Sequence, residues 1–148
     1  MLRKTVPLLL FPVLLLTACG EVEDTRPGQP VATRQKAFKA ILQSFEPMGV
    51  QLRENRYEPE TFLQQARMLH QLKDAPWSHF GPDTHYPPTK ATARVWQEPE
   101  RFTAEREGFL KAVDALLTAA ESRTEERVKP AYQAVHDSCR SCHKPFRN

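Results

Sequence analysis

Residues 138–148 read SCRSCHKPFRN, and Cys139, Cys142 and His143 within them fall at positions i, i+3 and i+4. On a helix that spacing puts all three on one face, the face that also carries the apolar residues Val128, Tyr132, Val135 and Phe146. Three chemistries suit such a cluster: a metal clip, a redox thiol pair, or two thiols and an imidazole around one covalently attached haem.

The three are not equally served by the rest of the chain. A structural zinc site wants four ligands, and the other histidines, at 70, 79, 85 and 136, are scattered through different elements. A thioredoxin-like pair wants a strand–helix context, and no βαβ pattern is present. A disulfide between neighbouring turns of one helix would close a very small loop and stabilise little. Thiols spaced in this way can add to the two vinyl groups of one haem, with the following histidine supplying an axial nitrogen.

Working back from the motif, Ser122-Arg123-Thr124-Glu125 offers a capping box that would start the helix carrying it, with Pro130 expected to kink that helix or delay its start. A preceding helix is predicted from about Pro99 to Glu121, with Phe102, Phe109, Val113, Leu116, Leu117 and Ala120 repeating at helical spacing. Residues 75–99, rich in proline and holding both tryptophans, read as a long ordered loop. Ahead of it, a helix opening at Glu58-Pro59 carries Phe62, Ala66, Leu69 and Leu72 and stops near Asp74. The first helix runs from about Val31 to Glu54, with Phe38, Ile41, Phe45, Met48 and Leu52 along one stripe and a bend expected at Pro47. Four helices joined by two short connections and one long crossover describe an all-α, antiparallel four-helix bundle over residues 31–148.

The N-terminus carries a different message. Arg3 and Lys4 precede an apolar run from Val6 to Leu16, then small residues and Cys19, the pattern of an export signal. That run is about half the roughly 20 residues a membrane-spanning helix needs. "LTAC" at 16–19 resembles the lipobox of bacterial lipoproteins, which implies removal of residues 1–18 and lipidation of Cys19. Several acyl chains on one residue would hold the protein at a bacterial membrane, on the periplasmic side. Residues 19–30 read as a polar tether. Loss of Arg3 and Lys4 leaves 19 basic against 18 acidic side chains, and no basic run is interleaved with aromatics, so the composition offers nothing to nucleic acid.

RQKAF at 34–38, APWSHFGPDT at 75–84, VWQEPERF at 95–102 and CHKPFR at 142–147, in that order, resemble cytochrome c′, the high-spin class II cytochromes c, over essentially the whole mature domain. The resemblance implies one haem c held by thioethers to Cys139 and Cys142, with His143 as the iron's proximal ligand. It also implies Arg34 and Gln35 near the haem edge and its propionates, Phe38 over the distal face, and Arg147 beside the proximal pocket. Pro145, between His143 and Arg147, threatens to end the helix early and displace Arg147. Met48 lies ten residues beyond Phe38, about 15 Å along the helix and too far to ligate if Phe38 covers the iron.

The function expected from these residues is nitric oxide or carbon monoxide binding at a five-coordinate iron, with the family adding nitric oxide buffering or detoxification. The rival is a one-electron carrier with a six-coordinate haem and an unknown redox partner. A homodimer through the first two helices is implied by the family alone.

Overall fold

A computed structural model describes residues 22–148, so the export signal and Cys19 lie outside the described residues. Five helices follow one another: α1 (Pro30–Arg53), α2 (Pro59–Leu72), the short α3 (Arg94–Gln97), α4 (Pro99–Glu121) and α5 (Glu125–Phe146). The four long ones alternate in direction. Gln51 donates to Gln65 between α1 and α2, Lys73, just past α2, pairs with Asp114 of α4, and Ser141 of α5 donates to Glu105 of α4. The result is the antiparallel four-helix bundle expected.

Proline at the first position opens α1, α2 and α4, where its missing amide costs no helical bond. The apolar stripes meet in one continuous core that includes Phe45, Met48, Phe62, Leu69, Val113, Leu116, Val128 and Val135. The two internal prolines do less than expected. α1 passes unbroken through Pro47, whose lost bond falls on the exposed side of the helix. α5 begins at Glu125, five residues before Pro130, and continues through it.

The capping box does not form. Arg123 adopts a left-handed φ of 55° and reverses the chain, so Ser122 belongs to the end of α4, where its hydroxyl donates to Ala119. Thr124 is the N-cap of α5, and its side chain makes no capping bond.

The expected tether is also shorter than the sequence suggests. Asp24 is buried, and its carboxylate accepts from the amides of Val31 (2.9 Å) and Ala32 (3.0 Å), from the amide of Arg26 (3.2 Å) and from the Tyr86 hydroxyl (2.9 Å). Gln29, the residue at the N-cap position, makes no side-chain cap, so a carboxylate five residues upstream satisfies the first free amides of α1. Burial alone would raise the Asp24 carboxyl, but the donors Ala32, Tyr86, Arg26 and Val31 outweigh it and hold the group below the ordinary carboxylate value. Arg26 lies over the Tyr86 ring at 4.0 Å and donates to the Asp83 carbonyl. Residues 24–29 are therefore part of the folded domain.

The crossover, residues 73–98, closes the end of the bundle where α1 begins and α5 finishes. Each tryptophan is pinned by its indole N–H, Trp77 to the Lys73 carbonyl (2.7 Å) and Trp96 to the Gly81 carbonyl (2.8 Å). No helix among the described residues is long and apolar enough to cross a membrane.

Candidate haem site

α5 packs along the length of α4 but meets α1 only sparsely. The contact between α1 and α5 is local. Phe45 stacks on Tyr132 with centroids 4.4 Å apart and planes 8° from parallel, and Gly49 brings the α1 backbone against the Tyr132 hydroxyl. A Cβ on Gly49 would stand 2.9 Å from Tyr132 Cζ, so only glycine permits this approach. Because α1 and α5 are antiparallel, moving seven residues from Phe45 to Phe38 and seven from Tyr132 to Cys139 covers the same ~10 Å along the bundle. Phe38 and Cys139 therefore stand at one level of the bundle, both packed against its core.

Cys139 is half-buried against the core and Cys142 is similarly half-buried, both as free thiols. Burial pushes the Cys139 thiol up, while burial and then the Glu105 carboxylate push Cys142 up to about 11. That is the reverse of a redox-active pair, which needs a depressed thiol pKa. Free, reduced thiols are what thioether formation to two vinyl groups would require. Partial desolvation, then the Arg147 cation, lower the pKa of the His143 imidazole, which favours the form with a lone pair to offer, although the residue is exposed. Two half-buried thiols and an exposed imidazole within one turn of α5 fit a c-type haem.

Phe38 is half-buried and held edge-on by Trp77 (5.4 Å) and Phe80 (6.2 Å) of the crossover. Those rings join Phe102, Phe109 and Phe146 in an aromatic cluster that fills this end of the bundle. Trp77 and Phe80 buttress the very residue read as distal, a role that spacing within one helix cannot disclose.

Arg34 departs from the expectation of a guanidinium turned to the propionates. It is 3% exposed, and it donates to the carbonyls of His79 and Thr84, both at 2.9 Å, and to the Thr89 hydroxyl at 2.6 Å. Its plane lies 4.6 Å from the Phe80 ring. A buried cation needs acceptors, and the crossover supplies three. Gln35, on the exposed side, donates to the Pro88 carbonyl at 2.9 Å. Both side chains bind the loop to α1.

Pro145 does not end the helix prematurely. α5 continues to Phe146, Arg147 is the first extended residue, and its amide still donates to the His143 carbonyl at 3.1 Å. Arg147 lines an open depression together with Asp137, Arg140, Ser141, His143 and Lys144. Met48 is fully buried in the core and Met68 is half-exposed. His70 pairs with Asp114 on the surface.

Comparison with known proteins agrees with this geometry. A family model described as cytochrome c′ matches residues 29–147. Cytochrome c′ of Rubrivivax gelatinosus is 26% identical over 124 residues, which span 82% of this chain and 96% of that protein. The structure of cytochrome c prime from Shewanella frigidimarina superposes with a TM-score of 0.80 at 26% identity, over 84% of this chain and 98% of that one. A nitric oxide complex and a carbon monoxide complex of cytochrome c prime variants from Alcaligenes xylosoxidans share the fold at 24% identity. Both superpose with a TM-score of 0.78, over 85% of this chain and 99% of theirs. With the match extending over the whole bundle, this chain belongs to the cytochrome c′ family.

Proposed function

We propose that the protein binds nitric oxide or carbon monoxide at a five-coordinate c-type haem and serves to buffer or detoxify nitric oxide outside the cytoplasm. Members of its family carry one covalently attached haem c, and so does this chain. Cys139 and Cys142 hold it by thioethers, and the neutral His143 imidazole supplies the proximal nitrogen. Bound haem contributes an iron that can take a diatomic gas as an axial ligand.

The observation that carries this reading is Phe38. At the level of Cys139, on the helix facing it, α1 offers an aromatic ring braced by Trp77 and Phe80. The ring provides neither an iron ligand nor a hydrogen-bond donor. Gases that need no hydrogen bond are favoured over O₂ in such surroundings. Arg34 and Gln35 act one step removed, by fixing the loop that holds the rings. Arg147 stands beside His143 on the proximal side.

Location belongs to the same reading: export directed by residues 1–18, a domain on the periplasmic side, and a lipid on Cys19. So does a homodimer through the outer faces of α1 and α2, where Leu42, Val50 and Met68 are exposed. Light scattering that returns a monomer removes the dimer.

The deciding experiment is the absorption spectrum of the ferrous protein with and without carbon monoxide or nitric oxide. Broad high-spin bands that shift on adding gas are expected. Sharp, split low-spin bands untouched by carbon monoxide would establish the electron-carrier alternative instead. Phe38→Met extends the test, since a thioether at this position should ligate the iron and slow or block gas binding. An unchanged spin state and affinity would place Phe38 away from the iron.

A further inference from the structure

The docking of residues 24–29 has a geometric consequence for any anchor at Cys19. Fully extended, the stretch from Cys19 to Asp24 reaches at most about 18 Å, whatever its conformation. A tether free as far as Val31 would have reached about 43 Å. Asp24 is fixed at the start of α1, and α1 with its 24 residues is about 36 Å long. Inverting the bundle would carry Asp24 about 36 Å from the surface, twice what the remaining chain can span.

The end that carries Asp24 is also the haem end. The crossover crosses it from Tyr86, bonded to Asp24, through Pro88, bonded to Gln35, to Lys90, whose carbonyl accepts from the Asn148 amide at 2.8 Å. Its exposed charges include Arg26, Lys90, Lys144 and Arg147. The same end also exposes Glu23, Asp74 and Asp83, and the opposite end exposes Glu54, Glu58 and Glu60 beside Arg53, Arg56 and Arg123, so net charge does not distinguish the two ends and the reach of the tether carries the orientation.

We propose that the crossover and C-terminus of this protein form a lipid-facing surface, and that the short tether holds the haem end of the bundle against the bilayer. The proposal rests on lipidation of Cys19. Apolar diatomic gases dissolve preferentially in hydrocarbon, so a haem edge held at the bilayer samples the gas where it is most concentrated. A bulky soluble redox partner is kept away from the same edge.

The test uses the full, haem-loaded chain on vesicles of phosphatidylethanolamine and phosphatidylglycerol, with a membrane-impermeant acylating reagent and mass spectrometry of the modified lysines. Lys90 and Lys144 should react several-fold more slowly on vesicles than in soluble Cys19→Ser, while Lys129 at the far end reacts equally in both. A Gly/Ser spacer of about twelve residues after Val22, adding roughly 40 Å of reach, should return Lys90 and Lys144 to their soluble rates while the protein still sediments with vesicles. Asp24→Ala, which releases residues 24–29, should act in the same direction. Equal protection of all three lysines in sedimented protein overturns the orientation alone. Failure of the haem-loaded chain to sediment with lipid overturns the lipidation and the orientation with it.

Discussion

Gly49→Ala isolates the contact that sets the spacing of α1 and α5. The new Cβ would lie 2.9 Å from both Tyr132 Cζ and Arg53 Nη1, and nearer still to the Tyr132 hydroxyl. Carbon–carbon contact relaxes at about 3.5–4.0 Å, so the ring or the helix must retreat by roughly 0.6–1.1 Å. The ring is not free to do so at no cost, because it stacks on Phe45 at 4.4 Å. A gap of that size forfeits a quarter to a half of each affected contact, and overpacking of this kind costs about 1–3 kcal/mol, or about 4–12 °C in Tm. Urea unfolding of the haem-loaded protein measures the loss. In a Tyr132→Leu background the obstruction is gone, and the same Gly49→Ala change should stabilise by up to about 1 kcal/mol, as alanine does in a helix interior. The sign of the effect thus depends on Tyr132. If Gly49→Ala stabilises the protein with Tyr132 in place, α1 and α5 do not meet there.

Asp24 has a depressed pKa in the folded state, so its contribution is complete above the ordinary carboxylate range and is lost as the pH falls through the folded value. Protection of the Val31 and Ala32 amides against hydrogen exchange should therefore collapse in acid relative to the rest of α1. Equal protection at a pH low enough to protonate the folded Asp24 carboxyl would show that Asp24 is not their partner. Arg34→Leu should strand the carbonyls of His79 and Thr84 and the Thr89 hydroxyl, at about 2–4 kcal/mol in all. Limited proteolysis should then cut within the crossover, and an uncut loop at unchanged stability would leave the clamp without a role.

Much of this molecule is legible from periodicity. The four long helices and the crossover follow from apolar spacing and proline placement, which act over a few residues and survive any packing arrangement. The proximal half of the site is equally local, because Cys139, Cys142 and His143 share a turn. What escapes the sequence is what depends on another element arriving. Asp24 caps a helix from five residues before its N-cap, a spacing that matches no local capping pattern. Arg34 looks like a free cation until the crossover folds over it. The Ser122 to Glu125 pattern misleads for a related reason: a left-handed Arg123 assigns Ser122 to the preceding helix.

Pro145 illustrates how the two kinds of information combine. From sequence, a proline two residues past His143 should end α5 and throw Arg147 out of position. In the fold it removes only one helical bond near the end of α5, and that end is secured from outside. The Thr92 hydroxyl donates to the Pro145 carbonyl at 2.9 Å, the Thr92 amide to the Phe146 carbonyl at 3.0 Å, and Ala91 and Arg147 form a short bridge. The last turn of a helix ordinarily frays. Here the crossover straps it down while Arg34 clamps another part of that crossover to α1. One loop therefore holds both Phe38, through its tryptophan and phenylalanine rings, and the turn that follows His143.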